Sequence, residues 1–132
     1  MIRRLRQGEH GQALVEMALV LPLCFLLLFG VIEMGRVGYA YITVCNAARE
    51  GGRIATIGGT DHDIEISVKN AAVSLDPLVI SITPPEPLEG HRQSGQGVTV
   101  EVTYQVWLVI PIISTVITNP VNVSSKIIMR LE

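Results

Sequence analysis

From Met17 to Ile32 the chain carries sixteen residues without a charge. With its flanks this becomes the segment 12–32, QALVEMALVLPLCFLLLFGVI. Crossing a hydrocarbon core takes about 20 residues of helix, so the segment can span a membrane. Pro22 falls inside it. In a soluble helix interior a proline costs about 3 kcal/mol, but within a membrane neighbouring groups can satisfy the freed carbonyl. A helix with a local bend is the expectation. After Glu33 the positions Val37, Tyr41, Val44, Ala48 and Ala55 recur at helical spacing. They extend the helix over 33–57, with Gly58-Gly59 as its stop. Glu50 and Arg53 stand three residues apart and can pair on an exposed face. The same stretch is rich in Gly and Ala, including Gly35, Gly38, Gly51 and Gly52. Such residues weaken a helix in isolation, but they also allow close backbone approach between packed helices.

The remainder alternates between shorter elements. Asp61 or Asp63 can cap a helix over 61–75 with Ile64, Val68, Ala71, Ala72 and Leu75 on one face, ended by Asp76-Pro77. A strand follows at 78–83, then a polar Pro/Gly loop from Pro84 to Gln96. Residues 98–109 give the clearest strand, with Val98, Val100, Val102, Tyr104 and Val106 alternating against Thr99, Glu101, Thr103 and Gln105. A last strand is expected at 121–131. Between these two strands, Val106–Ile117 is twelve uncharged residues broken by Pro111. That run is a buried strand with a following turn, or an apolar patch for a neighbouring subunit or a membrane face. The fold class is α+β: a long N-terminal helix, a short second helix and a small antiparallel sheet of about three strands. A core built from the residues beyond the long helix alone would be thin. Docking the sheet on the extramembrane half of the helix enlarges it.

At 132 residues the chain has room for one domain. Its 48% hydrophobic content and mean hydropathy of +0.44 average an apolar segment with ordinary globular sequence. Net charge is −2 and no basic stripe with interleaved aromatics occurs, so no nucleic-acid partner is expected. Arg3, Arg4 and Arg6 crowd the first eleven residues. By the positive-inside rule they place the N-terminus in the cytoplasm and the region after Glu33 outside. Cys24 and Cys45 lie on one helix twenty-one residues apart. That is about 31 Å, beyond disulfide reach. Cys24 reads as an apolar filler; Cys45 reads as a buried small residue or a cross-link to another subunit.

No catalytic constellation emerges. His10, His62 and His91 fall in the basic first eleven residues, at a helix start and in a loop. Asp61-His62-Asp63 could be a weak metal site but fits helix capping better. Asn122-Val123-Ser124 is a glycosylation sequon, a pattern common by chance. With no acid–base or nucleophile set to build on, the expectation is a protein that is not an enzyme. No cofactor, metal or small-molecule substrate is expected.

The informative feature is Gly11-Gln12-Ala13-Leu14-Val15-Glu16, followed at once by the apolar span. A carboxylate well inside a bilayer is disfavoured by about 2.5–3.5 kcal/mol on insertion scales, so Glu16 calls for a partner. A cut after Gly11 would give Gln12 a new α-amino group, with a reference pKa of about 7.7–8 and hence a positive charge. Within one helix Glu16 does not easily reach that amine, but a neighbouring subunit's amine could reach it. A basic leader (residues 1–11), glycine before the cut and glutamate fifth in the mature chain resemble the processing site of type IV prepilins.

The resemblance extends further. Leu21-Pro22, Glu33 to Arg36 and Asn46 to Gly51 resemble the TadE-like family of the tight-adherence (Tad/Flp) pilus system. In that family a Glu-containing apolar helix with an internal Leu-Pro leads into Glu-x-Gly-Arg and then Asn-Ala-Ala-Arg-Glu-Gly. The stretch from Val98 to Glu132 also resembles the family's ending. The resemblance implies a pilin-like fold with a leader at 1–11, a transmembrane segment at 12–32 and a periplasmic or extracellular domain at 33–132. It implies pseudopilin or minor-pilin function in the bacterial inner membrane or a surface pilus. The implied partners are the membrane, other pilins or pseudopilins, a prepilin peptidase and the pilus assembly machinery. Two other readings stay open. One is a secretory signal peptide ending near Gly38-Tyr39-Ala40. The other is a single-pass inner-membrane adaptor, or a signal-anchored envelope protein with Glu16 at the headgroups, that never enters a filament.

Overall fold

The computed structural model describes residues 5–111, 115 and 117–132. The elements are α1 (Leu5–Thr56), α2 (Asp61–Ala71), β1 (Ile80–Glu86), β2 (Gly97–Val106) and β3 (Val121–Arg130). The α+β class holds: one long apolar helix, one short helix and a three-stranded antiparallel sheet in the order β1-β2-β3. The chain divides into two compact units, Met1–Met34 and Gly35–Glu132, and α1 contributes to both.

In the first unit α1 begins at Leu5, so helix already occupies part of the expected leader, and it continues through Pro22. Between Gly11 and Ile32 nearly every side chain is exposed, including Leu14, Leu19, Leu27 and Val31. A helix apolar around its whole circumference is a helix for lipid or for other helices.

In the second unit α1 stops where the glycines sit. Gly58 takes φ +78, a left-handed conformation that costs glycine nothing. Gly59 N–H donates to Ile54 O at 3.1 Å and Gly58 N–H to Ala55 O at 3.1 Å, which satisfies two end carbonyls in a Schellman arrangement. The cap of α2 differs from the aspartates expected. Thr60 is the N-cap: its Oγ1 accepts from Asp63 N–H at 3.1 Å, and the Asp63 carboxylate accepts from Thr60 N–H at 3.1 Å. This reciprocal pair is a capping box. The helix ends at Ala71, short of the expected residue 75. The apolar face continues through Ala72 and Leu75, but there the chain turns, with Leu75 N–H on Ala72 O and Leu78 N–H on the Asp76 carboxylate.

The strands also shift from their expected limits. β1 starts two residues later, at Ile80, and runs on through Pro84-Pro85 to Glu86, residues expected to be loop. It lies at the edge of the sheet, where missing donors are tolerated, and its register breaks between Thr83 and Glu86. β2 ends at Val106 and not at 109. The backbone of Leu108 is engaged by a side chain instead: Asn119 Oδ1 accepts from Leu108 N–H at 3.0 Å, and Asn119 Nδ2 donates to Leu108 O at 3.3 Å. β2 and β3 pair without interruption from Gly97–Arg130 to Val106–Val121.

One core joins these elements. Ala40, Val44, Ala47, Ala48 and Ala55 of α1 meet Ile64 and Val68 of α2, Val98, Val100, Val102 and Val106 of β2, and Val123 of β3. Fully burying a valine or isoleucine is worth about 1.5–3 kcal/mol, so the β2 valines are the main apolar term. Tyr41, expected on the inner face, is 51% exposed; the smaller Ala40 and Val44 take the contact. A Cβ added at Gly51 would meet Val68, Val100 and Ile64, and one at Gly52 would meet Met129 and Ile127. Gly51 therefore sits where α1 closely approaches both α2 and β2, and Gly52 where it closely approaches β3, so the approach is to the sheet as well as to a helix.

Candidate membrane-anchor and assembly site

The residues singled out from the sequence lie along α1. Gly11, Gln12 and Glu16 are all exposed. Gln12 and Glu16 are four apart and so share one helix face. The Gly11–Gln12 bond lies inside the helical run, and nothing crowds the glycine: an added Cβ would have open space around it. Of the Glu33–Arg36 element, Glu33 is buried and Arg36 is exposed. Among the described residues, one helix is long and apolar enough to cross a membrane, within Gly11–Thr56 near the N-terminus. Cys24 is exposed, Cys45 is half-buried, and both are free thiols. A hydrogen bond donated by the Tyr41 hydroxyl to the Cys45 sulfur is the main cause holding the Tyr41 phenol above its ordinary value.

The polar groups of the second unit are committed to architecture. Asp61 pairs with Arg92 and Asp63 closes the capping box, so two members of the Asp61-His62-Asp63 triplet have structural partners. Among the described residues no group of three His, Cys, Asp or Glu side chains is placed to hold a metal ion. An open groove of about 420 Å³ between α2 and β1 is lined by Asp61, His62, Glu65, Lys69, prolines and isoleucines. Its Glu65 and Lys69 pair with each other. Asn122 of the sequon is exposed on β3.

Three structural residues were not anticipated. Arg92 Nη1 donates to Gly59 O at 2.8 Å, Nε donates to Pro87 O at 3.0 Å, and Nη2 reaches the Asp61 carboxylate. It ties the 87–92 loop to the start of α2. No sequence signal marks it, because an arginine in an aperiodic polar loop carries no pattern. Thr60 was legible in principle: Thr-x-x-Asp before an apolar face is a capping-box spacing. Asn119 imitates a strand partner through its side chain, which no pattern of apolar residues encodes. Of the apolar run 106–117, Val106 and Leu108 are buried while Trp107, Val109 and Ile117 are exposed. Ile112, Ile113, Ser114 and Val116 lie outside the described residues.

This architecture defines a protein anchored to a membrane by one N-terminal helix, whose continuation is the spine of a small α+β domain. Residues 11–53 match the family model described as TadE-like protein, so the resemblance carried by Leu21-Pro22, Glu33–Arg36 and Asn46–Gly51 is shown over that stretch. The match takes in the whole apolar span and α1 up to Arg53; the resemblance of the C-terminal strands to the family's ending lies outside it. Comparison with curated proteins finds no match, and comparison with solved structures finds none.

Proposed function

We propose that this chain is a pseudopilin or minor pilin: a non-catalytic, membrane-anchored subunit that contributes to assembly of a tight-adherence pilus. The observation that carries the reading is the TadE-like match, which begins at Gly11 and covers the exposed apolar helix. In this reading residues 1–11 stay in the cytoplasm, a prepilin peptidase cuts between Gly11 and Gln12, and the domain after Glu33 faces the periplasm or exterior. The uncrowded glycine supports the cut, since a residue without a side chain offers a slim backbone that unwinds at low cost. Glu16 then pairs with the α-amino group of Gln12 on an adjacent subunit. Assembly is where that charge matters, because an unpaired carboxylate in lipid is disfavoured.

Mass spectrometry of the mature protein tests this directly. A mature chain beginning at Gln12, lost in Gly11→Val, supports processing; intact Met1 in a strain holding the peptidase overturns it. Recovery of the protein on sheared filaments distinguishes a filament subunit from an adaptor retained in the inner membrane.

A further inference from the structure

The direction of the second unit along α1 can be read from two contacts. Near the end of α1, Gly51 approaches Val100 of β2, with 3.3 Å from its notional Cβ to Val100 Cγ1. Near the start, the Arg36 guanidinium donates to Trp107 O at 3.5 Å. From Arg36 to Gly51 the helix rises about 22 Å. From Val100 to Trp107 an extended strand covers about 23 Å. The two lengths agree, so β2 runs antiparallel to α1 with its C-terminal end beside Arg36. At the opposite end Glu132 N–H donates to Thr56 O at 3.1 Å. Arg36 follows Ile32, the last residue of the apolar span, by four residues. Even a fully extended chain would carry it no more than about 14 Å from there. The end of the sheet that holds the β2–β3 connection is therefore the end at which the chain enters the unit from the apolar span.

That end has the chemistry of a lipid interface. From Val102 to Ser125 the chain carries no charged residue across twenty-four positions. The last charged pair in the β2–β3 ladder is Glu101 opposite Lys126. Past it, Trp107 is 57% exposed, Val109 73% and Ile117 44%, while Leu108 between the first two is buried. Tyr39 and Tyr41 are exposed on the first turns of α1 in the same unit. Tryptophan and tyrosine favour the headgroup level, where an apolar ring and a polar edge are both accommodated. The Asn119 clamp on Leu108 holds the two ends of the connection together, so its exposed side chains are presented on a tethered loop.

We propose that Trp107, Val109 and Ile117, exposed apolar residues described between β2 and β3, seat in the headgroup and upper acyl region of the bilayer that α1 crosses. This is a second membrane contact beside α1. The inference rests on anchoring by α1 and not on entry into a filament. Trp107 is the chain's single tryptophan, so the native protein carries its own probe. The full chain is reconstituted in phosphatidylcholine–phosphatidylglycerol vesicles containing lipids brominated at either shallow or deep acyl positions. A seat about 5–10 Å into the boundary predicts loss of Trp107 emission with shallow bromines, weaker loss with deep ones, and shielding from iodide. The pattern persists when protein is diluted into excess lipid. Ile57→Trp in a Trp107→Phe background, at the far end of α1, stays open to iodide. Trp107 emission untouched by bromolipids and open to iodide overturns the proposal. So does iodide shielding that vanishes on dilution, which marks a surface for a second protein, or equal lipid quenching at position 57. Release of the chain from the vesicles is measured separately and bears on the anchor itself, while recovery with pilus components bears on the pilus role.

Discussion

Gly51 of α1 and Val68 of α2 stand so close that a Cβ on the glycine would lie 2.6 Å from Val68 Cγ2. Val100 Cγ1 at 3.3 Å and Ile64 Cγ2 at 3.4 Å close the remaining space. Alanine in a helix gains about 1 kcal/mol over glycine, while overpacking a filled core costs about 1–3 kcal/mol. At Gly51 the second effect wins, because all three neighbours are stiff β-branched side chains. Gly51→Ala lowers the thermal unfolding midpoint of the detergent-solubilised chain, and adding Val68→Ala recovers part of the loss. Gly38→Ala, where an added Cβ meets nothing, leaves the midpoint unchanged or raised. Equal effects at both glycines would show that propensity and not packing governs them.

Arg92 is expected to hold the 87–92 loop against α2. Its side chain is 7% exposed and it reaches Gly59 O, Pro87 O and Asp61. Hydrogen bonds involving a charged group contribute about 1.5–3 kcal/mol, so Arg92→Ala destabilises by about 2 kcal/mol. Arg92→Lys recovers little, since one ammonium cannot reproduce a planar fork. Hydrogen exchange reads the change as faster exchange at residues 59–63 and 87–92, with β2 and β3 unaffected.

The start of α2 carries an acid dependence. The Thr60 hydroxyl and then the Thr60 backbone N–H hold the Asp63 carboxyl below its ordinary value. A carboxyl depressed on folding contributes stability above its unfolded pKa of about 3.9. That contribution falls away as pH drops through the lower folded value. Helix signal from α2 therefore weakens below about pH 4. Asp63→Asn removes that part of the acid dependence, and Thr60→Ala costs about 1 kcal/mol at neutral pH. Glu50 and Glu65 are likewise held low, by Arg53 and Lys69, but both are exposed pairs and add little.

Glu16 separates insertion from assembly. Glu16→Gln is expected to leave the second unit folded and cleavage after Gly11 largely intact, while co-purification with other pilins falls. Glu16→Leu inserts more favourably yet associates no better. Wild-type recovery of pilus components with both variants would show that Glu16 faces the headgroups and pairs with nothing across subunits.

The sequence by itself determined the parts that rest on local pattern. Sixteen uncharged residues specify a membrane-competent helix whatever surrounds them, Gly58-Gly59 specifies its end, and the valine alternation of β2 specifies a half-buried strand. Gln12 and Glu16, four residues apart, share a helix face by spacing alone. Tertiary structure decided what depends on partners distant in the chain. Pro84-Pro85 could join a strand only because β1 lies at an edge, and β2 stopped at Val106 because Asn119, eleven residues beyond Leu108, took that backbone. Tyr41 is exposed while Ala40 and Val44 take the inner face. Arg92 found Gly59 and Asp61 across more than thirty residues. That β2 runs antiparallel to the second-unit part of α1 also followed from matched helix and strand rises, a relationship between elements that no single stretch of sequence contains.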